Sequence, residues 1–186
     1  QGGLLTLQDL KEFAVQFEEP EVGRFREYTV FTCGPWCQGP VVAQTLQMLE
    51  DDDLTALGHN SADYVHLVSQ ALNLTFSDRH HFYGDPDFVD VPMDGLLSKD
   101  YTRERRSAID MARAFTEMPP PGKPWEYQDG TAGRVPVEVK APIAGRQEQD
   151  TSYTCVVDRW GNAFSATPSD GPNTPLITGL GFRLSA

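Results

Sequence analysis

The stretch EQDTSYTCVVDRWGNAFSAT, residues 148–167, holds the strongest fold signal in the chain. Two segments rich in β-forming residues, TSYTCVVD and AFSAT, flank the turn sequence RWGN, and this arrangement predicts a β-hairpin. The residues before Thr151 are charged and loop-like, so the predicted sheet begins at that threonine. A hydroxyl side chain at a boundary between loop and buried sheet suggests chemistry at the boundary itself.

Thr151 has the groups needed for self-activated nucleophilic catalysis. A threonine hydroxyl is a weak nucleophile and needs a base. If the chain is cut before Thr151, the new α-amine lies beside the hydroxyl, and its pKa of about 8 makes it a usable base near neutral pH. Attack of the same hydroxyl on the carbonyl of Asp150 would make the cut, because the peptide bond becomes an ester that water opens. The alternative is that Thr151 is simply a good β-former at a strand start.

The composition limits the classes of partner. The chain has 186 residues and a formal net charge of -12, which suits one domain, or one domain and part of another. With no basic run to displace phosphate counterions, the sequence argues against nucleic acid and anionic membranes as partners. No stretch approaches the roughly 20 apolar residues of a membrane span. The start, QGGLLTLQDL, lacks a Met, a basic region and an apolar segment, so we expect a processed chain or a fragment.

Helical and strand patterns alternate in the first part of the chain. Thr6 with Asp9 predicts the N-cap of a helix whose apolar face continues to Phe17. The alternating segment Glu27 to Cys33 predicts a strand. Pro40 suits the first turn of a second helix. The predicted buried face of that helix consists of Val42, Leu46 and Leu49.

Two further helices follow. Asn60 and Asp63 predict the cap of a long helix, and Ser98 predicts the cap of a last helix that runs to Phe115. The predicted buried face of the long helix consists of Tyr64, Leu67, Val68, Ala71 and Leu72. We expect the acidic run at 50–53 to be a solvated loop. We also expect the basic middle of the last helix to be a solvated face, with anion binding as the alternative.

The segment 118–150 is rich in Pro and Gly and has no sustained period. A connection of this length is uncommon inside a compact domain and is usually functional or mobile. The sequence therefore predicts a helical portion over residues 1–117, a linker over 118–150 and the β-hairpin start of a second portion over 151–186. Helices followed by strands indicate an α+β fold.

The three cysteines do not indicate a disulfide scaffold. Cys33 and Cys37 lie in CGPWC, which is one residue longer than the redox motif C-x-x-C. We expect them to act as small hydrophobic residues beside a turn, with a thiol redox role as the alternative.

Several motifs, taken in order and spacing, resemble those of the gamma-glutamyltranspeptidase family along nearly the whole chain. They are GGLLTLQDL, QGPVVAQTLQMLE, LGHNSADYVHLVSQALNLTFSDRHHFYGDPDF, LLSKDY, RRSAID, DTSYTCVVDRWGNAFSAT and GLGFRL. The resemblance implies an N-terminal nucleophile fold, an αββα sandwich of which this segment is an incomplete part. It also implies a precursor that cuts itself before Thr151 into large and small subunits. A gamma-glutamyl-enzyme ester, resolved by water or by an amine acceptor, follows from the same resemblance.

The resemblance also implies small-molecule gamma-glutamyl substrates of the glutathione type, or other amides, and no cofactor. Members of the family are often exported, which suggests a periplasmic or extracellular location by analogy. The carboxylate-binding Arg and the oxyanion-hole residues of the family have no counterpart in these 186 residues. The segment therefore resembles the middle of the enzyme.

The resemblance implies roles for individual residues. Thr151 matches the nucleophile, and Asp150 with Thr151 matches the processing site. Ser169 falls where the family has a second Thr that supports the amino group of the nucleophile. Gly171 stands where the family has an Asn that helps to hold the nucleophile and the substrate carboxylate. Its neighbour Asp170 is expected to reshape that pocket.

Departures from the family pattern leave the substrate open. Tyr153 stands where the family usually has His. A negative Asp170 near a substrate carboxylate would disfavour it, and Gly171 offers no side-chain amide. An acylase of the same fold that acts on a different amide is therefore an alternative. A scaffold fragment that is never processed is another.

Other candidates for chemistry have simpler explanations. His80 and His81 are adjacent, so on a helix their side chains point about 100° apart, and we expect no metal site there. Asp85 and Asp87 flank Pro86 in a loop, where turn formation is the expected role rather than acid–base catalysis.

Overall fold

The computed structural model describes residues 6–130, 133, 150–167 and 169–170. The chain divides into two units, residues 1–138 and 139–186. Helices and a β-hairpin form the first unit, and the described part of the second unit contains short antiparallel strands. In the described residues, no helix is both long and apolar enough to cross a bilayer.

The first unit contains five α-helices, one 3-10 helix and one strand pair in its described residues. The helices are α1 Leu7–Glu12, α2 Gly39–Met48, α3 Ala62–Phe82, α4 Met93–Leu96 and α5 Lys99–Ser107, with the 3-10 helix at Pro124–Tyr127. The strands are β1 Glu21–Phe25 and β2 Tyr28–Thr32, which pair antiparallel. The second unit contributes β3 Asp150–Thr151, β4 Thr154–Val157, β5 Ala163–Ala166 and β6 Ser169–Asp170.

Helix α1 begins as the sequence predicts but is much shorter. The Thr6 hydroxyl accepts from the Asp9 N–H and the Asp9 carboxylate accepts from the Thr6 N–H, which completes a capping box. The prediction of a helix to Phe17 is wrong, because the helix ends at Glu12 with Phe13 as its C-cap. Phe13 and Phe17 are exposed, and a short helix without a buried face has little to sustain further turns.

Helix α2 buries only part of the predicted face, because Leu49 at its C-cap is buried but the other two predicted residues are not. Val42 is 53% exposed, and Leu46 is only partly buried. The buried face carries polar side chains, of which Gln47 is the clearest case: its amide accepts from the Arg24 N–H at 3.2 Å and donates to the Leu97 carbonyl at 2.7 Å. Because these buried polar groups are hydrogen-bonded, the polar face of the helix can pack in the protein interior.

Strand β1, which the sequence did not reveal, packs against α2 through a glycine. A Cβ at Gly23 would lie 2.6 Å from the Ala43 Cβ, so only glycine permits this approach. The neighbouring strand β2 agrees with the predicted strand at Glu27 to Cys33, apart from one residue at each end.

Helix α3 starts one residue later than predicted. Ser61, not Asn60, is its N-cap, and the Ser61 hydroxyl accepts from the Tyr64 N–H at 3.1 Å. Asn60 instead has a φ of 55°, in the left-handed region that asparagine tolerates better than most residues. The predicted face of this helix holds for Leu67 and Ala71. The first core cluster consists of Met48, Leu49, Leu67, Ala71, Leu74 and Ile109.

Helix α5 is capped by Ser98 as predicted, but it ends at Ser107 rather than at Phe115. The expected solvated basic face is right for Arg103, which is exposed, and wrong for Arg105, which is buried. Arg103 and Arg106 contact Asp51 at 3.1 Å and Asp52 at 2.7 Å, respectively. In the same row, Lys99 contacts Glu50 at 2.9 Å, while Arg105 is buried. The acidic run at 50–53 is therefore a partner for α5, because the fold brings opposite charges together.

The first part of the predicted linker packs within the first unit. Pro124 is fully buried, and Trp125 and Tyr127 pack against the second core cluster. That cluster consists of Phe82, Leu96 and Tyr101. The rest of the segment, residues 134–149, lies outside the described residues. The division at residues 117 and 150 remains a prediction.

The predicted hairpin is present in the second unit. Strands β4 and β5 pair antiparallel, from Val157↔Ala163 to Thr154↔Ala166. The Asp158 N–H donates to the Asn162 carbonyl at 3.0 Å and closes the connecting turn. Gly161 has a φ of 84°, a conformation that side chains other than glycine rarely adopt.

Candidate active site

The predicted nucleophile and its predicted supporting residue lie opposite each other. Strand β3 pairs antiparallel with β6, with Thr151 opposite Ser169 and Asp150 opposite Asp170. In such a pair, the Cα atoms of facing residues are about 4.5–5.5 Å apart. The backbone thus brings together four of the five residues to which the sequence assigns a role at this site. The fifth, Gly171, lies outside the described residues.

The register of the hairpin determines this pairing. The β4–β5 ladder ends at Thr154↔Ala166. Moving outward by the same number of residues along each strand leads to Thr151↔Ser169, so β3 and β6 continue the register of the hairpin. A shift of one residue in this register would place a different residue opposite Thr151.

A carboxylate inside the turn holds that register. Asp158 Oδ1 accepts from the Trp160 N–H at 2.8 Å and from the Asn162 N–H at 2.9 Å. Its Oδ2 accepts from the Asn162 side-chain amide at 2.8 Å, and this bond lowers the pKa of the Asp158 carboxyl. The ionised side chain therefore holds both sides of the turn.

Tyr153, which departs from the family pattern, has a partner of its own across the hairpin. Its hydroxyl oxygen accepts from the Ser165 hydroxyl at 3.1 Å, and its ring is exposed. The tyrosine thus interacts with the neighbouring strand two residues after Thr151.

Sequence reasoning missed a buried polar network in the first unit. The Asp78 carboxylate accepts from the Gln44 amide and the Tyr101 hydroxyl, each at 2.7 Å, and from the Gly122 N–H at 2.9 Å. It also forms an ion pair with Arg105 at 3.1 Å. Asp78 is completely buried. Burial and the adjacent carboxylate raise the pKa of Tyr101, which keeps its hydroxyl a donor.

The network fixes the start of the predicted linker. Arg105 donates to the Pro120 carbonyl at 3.1 Å, and Ser77 donates to the Pro119 carbonyl at 2.5 Å. A signal for the network was present in the sequence. Asp78 follows Leu74 by one helical turn and Ala71 by two, so it lies on the buried face of α3.

Asp85 and Asp87 form the turn that the sequence predicts. The Asp85 carboxylate accepts from the Asp87 N–H at 3.0 Å, as in a turn. His80 Nδ1 contacts the Phe76 carbonyl oxygen at 2.6 Å, and the His81 ring packs edge-on against Phe82. Within the described residues, no three potential ligands cluster around a metal position.

Comparison with known sequences identifies one family. A family model described as Gamma-glutamyltranspeptidase matches residues 1–173. The chain is 34% identical to a glutathione hydrolase proenzyme of Bacillus subtilis subsp. natto, over 89% of this chain and 28% of that protein. It is 36% identical to an acylase ACY 1 proenzyme of Pseudomonas sp. (strain V22), over 89% of this chain and 26% of that protein. The chain thus spans less than a third of the length of these relatives.

Solved structures show the same relationship. The structure described as LmbA2991T421A is 35% identical and superposes with a TM-score of 0.77, over 100% of this chain and 31% of that chain. The gamma-glutamyltranspeptidase of Helicobacter pylori is 31% identical with a TM-score of 0.60, over 64% of this chain and 35% of that chain. These similarities, with the mixed helices and strands, confirm the expected α+β class and an incomplete part of the N-terminal nucleophile fold.

Proposed function

Because the chain belongs to the gamma-glutamyltranspeptidase family, we propose that the whole protein is a self-processing acyltransferase and hydrolase with Thr151 as its nucleophile. The observation that carries this proposal is the pairing of Thr151 with Ser169 in the register of the hairpin. Those two positions match the nucleophile and its supporting hydroxyl residue in the family. The relatives named as proenzymes support a processing step.

In the proposed processing step, the Thr151 hydroxyl oxygen attacks the carbonyl carbon of Asp150. The C–N bond breaks, the nitrogen gains a proton, and an ester links the two residues. Water then hydrolyses the ester, which leaves a carboxylate on Asp150 and a free α-amine on Thr151. The two resulting chains remain together as large and small subunits.

In the proposed turnover, the new α-amine takes the proton of the Thr151 hydroxyl. An amine with a pKa of about 8 is partly neutral at pH 7 and can act as this base. The hydroxyl oxygen then attacks the amide carbon of a gamma-glutamyl substrate, and the amine product leaves with a proton. Water or an acceptor amine resolves the ester, and Ser169 supports the α-amine throughout.

Processing can be tested with the full-length protein by intact mass and N-terminal sequencing. We expect a new amino terminus at Thr151 in the wild type and in Thr151→Ser, which keeps a hydroxyl, and none in Thr151→Ala. Thr154→Ala, on the same hairpin, is the matched control and should process normally. A protein that stays uncut yet turns over amides would refute the mechanism. An uncut, inactive wild type would favour the scaffold alternative.

The role of Ser169 has its own test. A hydrogen bond to a charged group contributes about 1.5–3 kcal/mol, so Ser169→Ala should slow turnover about tenfold to a hundredfold. Thr154→Ala, the control used for processing, should keep near-normal turnover. Equal rates for Ser169→Ala and the wild type would remove Ser169 from the site.

A second candidate is an acylase that acts on another amide. The similarity to the acylase ACY 1 proenzyme and the presence of Asp170 and Gly171 favour it. Turnover of a gamma-glutamyl anilide against other acyl anilides separates the two candidates. If the substrate carboxylate is repelled by Asp170, Asp170→Asn should raise the rate for the gamma-glutamyl anilide alone.

A further inference from the structure

Two cysteines meet at the junction of β2 and α2. The sulfur atoms of Cys33 and Cys37 lie 2.7 Å apart. Cys33 directly follows β2, and the Cys37 N–H donates to the Gly34 carbonyl at 3.2 Å, so a tight turn brings the thiols together. Cys33 is exposed and Cys37 is partly buried. The expectation that both act as small hydrophobic residues is therefore wrong for Cys33.

The first residue of α2 leaves room for this pair. A Cβ at Gly39 would lie 2.9 Å from the Cys33 sulfur and 2.8 Å from the Cys33 carbonyl oxygen. The Gly39 N–H in turn donates to the Cys37 sulfur at 3.3 Å. Glycine at this position thus lets the start of the helix approach both thiols.

Cys37 also lines a pocket of about 220 Å³ in the first unit. The other lining residues are Pro35, Trp36, Arg79, His80, Tyr83 and Gly84. The Arg79 Nε and the Tyr83 hydroxyl are buried and have no hydrogen-bond partner in the described part of the chain. Buried donors without acceptors are costly, so a ligand that supplies acceptor oxygens would be favoured once side-chain movement opens these two atoms to the pocket.

Arg79 supplies a guanidinium to the pocket lining, while the carboxylates of Asp78 and Glu21 act on the neighbouring Tyr83. Arg79 forms no ion pair within the described residues. Asp78, the next residue along α3, is occupied by Arg105. Burial, together with Asp78 and Glu21, raises the pKa of Tyr83, so its hydroxyl remains a donor. A guanidinium beside a phenol is well suited to a carboxylate.

We propose that Cys33 and Cys37 form a redox-active dithiol that exchanges with small carboxylate-bearing disulfides, whose carboxylate is bound by Arg79 and Tyr83. This function is separate from the one proposed for Thr151. It requires only the first unit, where both cysteines and the pocket lie.

The exchange takes place in two steps. The Cys33 thiolate attacks one sulfur of the small disulfide, the disulfide bond breaks, and the first small thiol leaves with a proton. The Cys37 thiolate then attacks the Cys33 sulfur, which forms the Cys33–Cys37 disulfide and releases the second small thiol. The protein dithiol is oxidised by two electrons, and the small disulfide is reduced to two thiols.

The order of attack follows from the two environments. Cys33 is exposed and can meet a disulfide from solvent. Burial and the neighbouring Cys33 thiol raise the pKa of Cys37, so Cys37 remains protonated until the first sulfur has reacted.

The exchange can be tested on the full-length protein carrying Thr151→Ala, with glutathione disulfide as the probe and intact mass as the readout. We expect the protein to lose two hydrogen atoms and to release two equivalents of glutathione. Cys37→Ser should instead retain one glutathionyl group on Cys33. Cys33→Ser should form a mixed disulfide much more slowly than the protein with both cysteines. Cys155→Ser, which removes the third cysteine, should behave as the parent. Modification of Cys155 as fast as Cys33 would overturn the proposal.

The pocket has a separate readout. Arg79→Gln should slow oxidation by glutathione disulfide about tenfold, the effect of losing about 1.4 kcal/mol of binding. It should leave oxidation by bis(2-hydroxyethyl) disulfide, which has no carboxylate, unchanged. Arg113→Gln, elsewhere in the same unit, is the matched control. An equal loss with both disulfides, or no loss with either, would remove the carboxylate site from the proposal.

Discussion

The Asp78 carboxylate and the Arg105 guanidinium form an ion pair at 3.1 Å, with side-chain exposures of 0% and 9%. The same carboxylate accepts from Gln44, Tyr101 and the Gly122 N–H. One side chain therefore links α2, α3, α5 and the segment around Gly122. In a buried network of this kind, each member depends on the others for its partners.

Removing the charge of Asp78 should destabilise the first unit strongly. We expect Asp78→Asn to lower the free energy of unfolding by about 3–5 kcal/mol, because the buried guanidinium of Arg105 loses its counter-charge. Urea unfolding followed by circular dichroism measures the change. Arg103→Gln, in an exposed pair, should leave the urea midpoint unchanged. The double variant Asp78→Asn with Arg105→Met removes both charges and should recover part of the loss. No recovery would contradict the electrostatic explanation.

Stability should fall at alkaline pH because of Tyr101. Its pKa in the folded protein is raised above the unfolded value of about 10, so its contribution is complete below pH 10. Above that pH the unfolded chain loses the proton and the folded chain keeps it. The free energy of unfolding therefore falls by about 1.4 kcal/mol for each further pH unit. Unfolding free energies between pH 9 and 11 measure this slope, which Tyr101→Phe should reduce. Tyr28→Phe, at an exposed position, is the control, and an unchanged slope in Tyr101→Phe would contradict the prediction.

The two hydroxyl caps of α1 and α3 should differ in their effect on global stability. Ser61→Ala should lower the free energy of unfolding by about 1 kcal/mol, because α3 contributes three residues to the first core cluster. Thr6→Ala removes an equivalent cap, but α1 has no buried residue, so its loss should not change the global transition. Thermal unfolding of both variants makes the comparison. Equal shifts in melting temperature would show that α1 is coupled to the core.

The ion pairs between the acidic run and α5 should be unequal. Arg106 contacts Asp52 through two nitrogens at 2.7 and 2.8 Å, and both side chains are partly buried. Arg106→Gln should therefore lower the free energy of unfolding by about 1 kcal/mol, a value that allows for solvent screening. Arg103→Gln breaks a more exposed pair and should have no measurable effect. Urea midpoints at low and high salt test this ranking, and a larger effect for Arg103→Gln would reverse it.

Local signals in the sequence were reliable where one short segment holds all the interacting groups. The capping box at Thr6, the cap at Ser98 and the hairpin around RWGN are contained within a few residues each. The ends of α1 and α5 were predicted less well, because helix length depends on which turns find tertiary partners. The motifs around Thr151 also indicated the family in advance.

Long-range polar partners could not be predicted from periodicity. The buried amide of Gln47 and the charge of Arg105 occupy positions that apolarity alone assigns to solvent. Their burial depends on partners far along the chain, such as Leu97 for Gln47 and Asp78 for Arg105. The facing of Thr151 and Ser169 is different, because it follows from the strand register once the turn is known.

The Asp158 turn thus sets which residue faces Thr151 at the other end of the strands, where we propose that the chemistry takes place. Adding or deleting a single residue between Asp158 and Asn162 would change the neighbour of Thr151 without touching either of the residues that now face each other. Variation in this part of the family should therefore conserve loop length more strictly than loop composition.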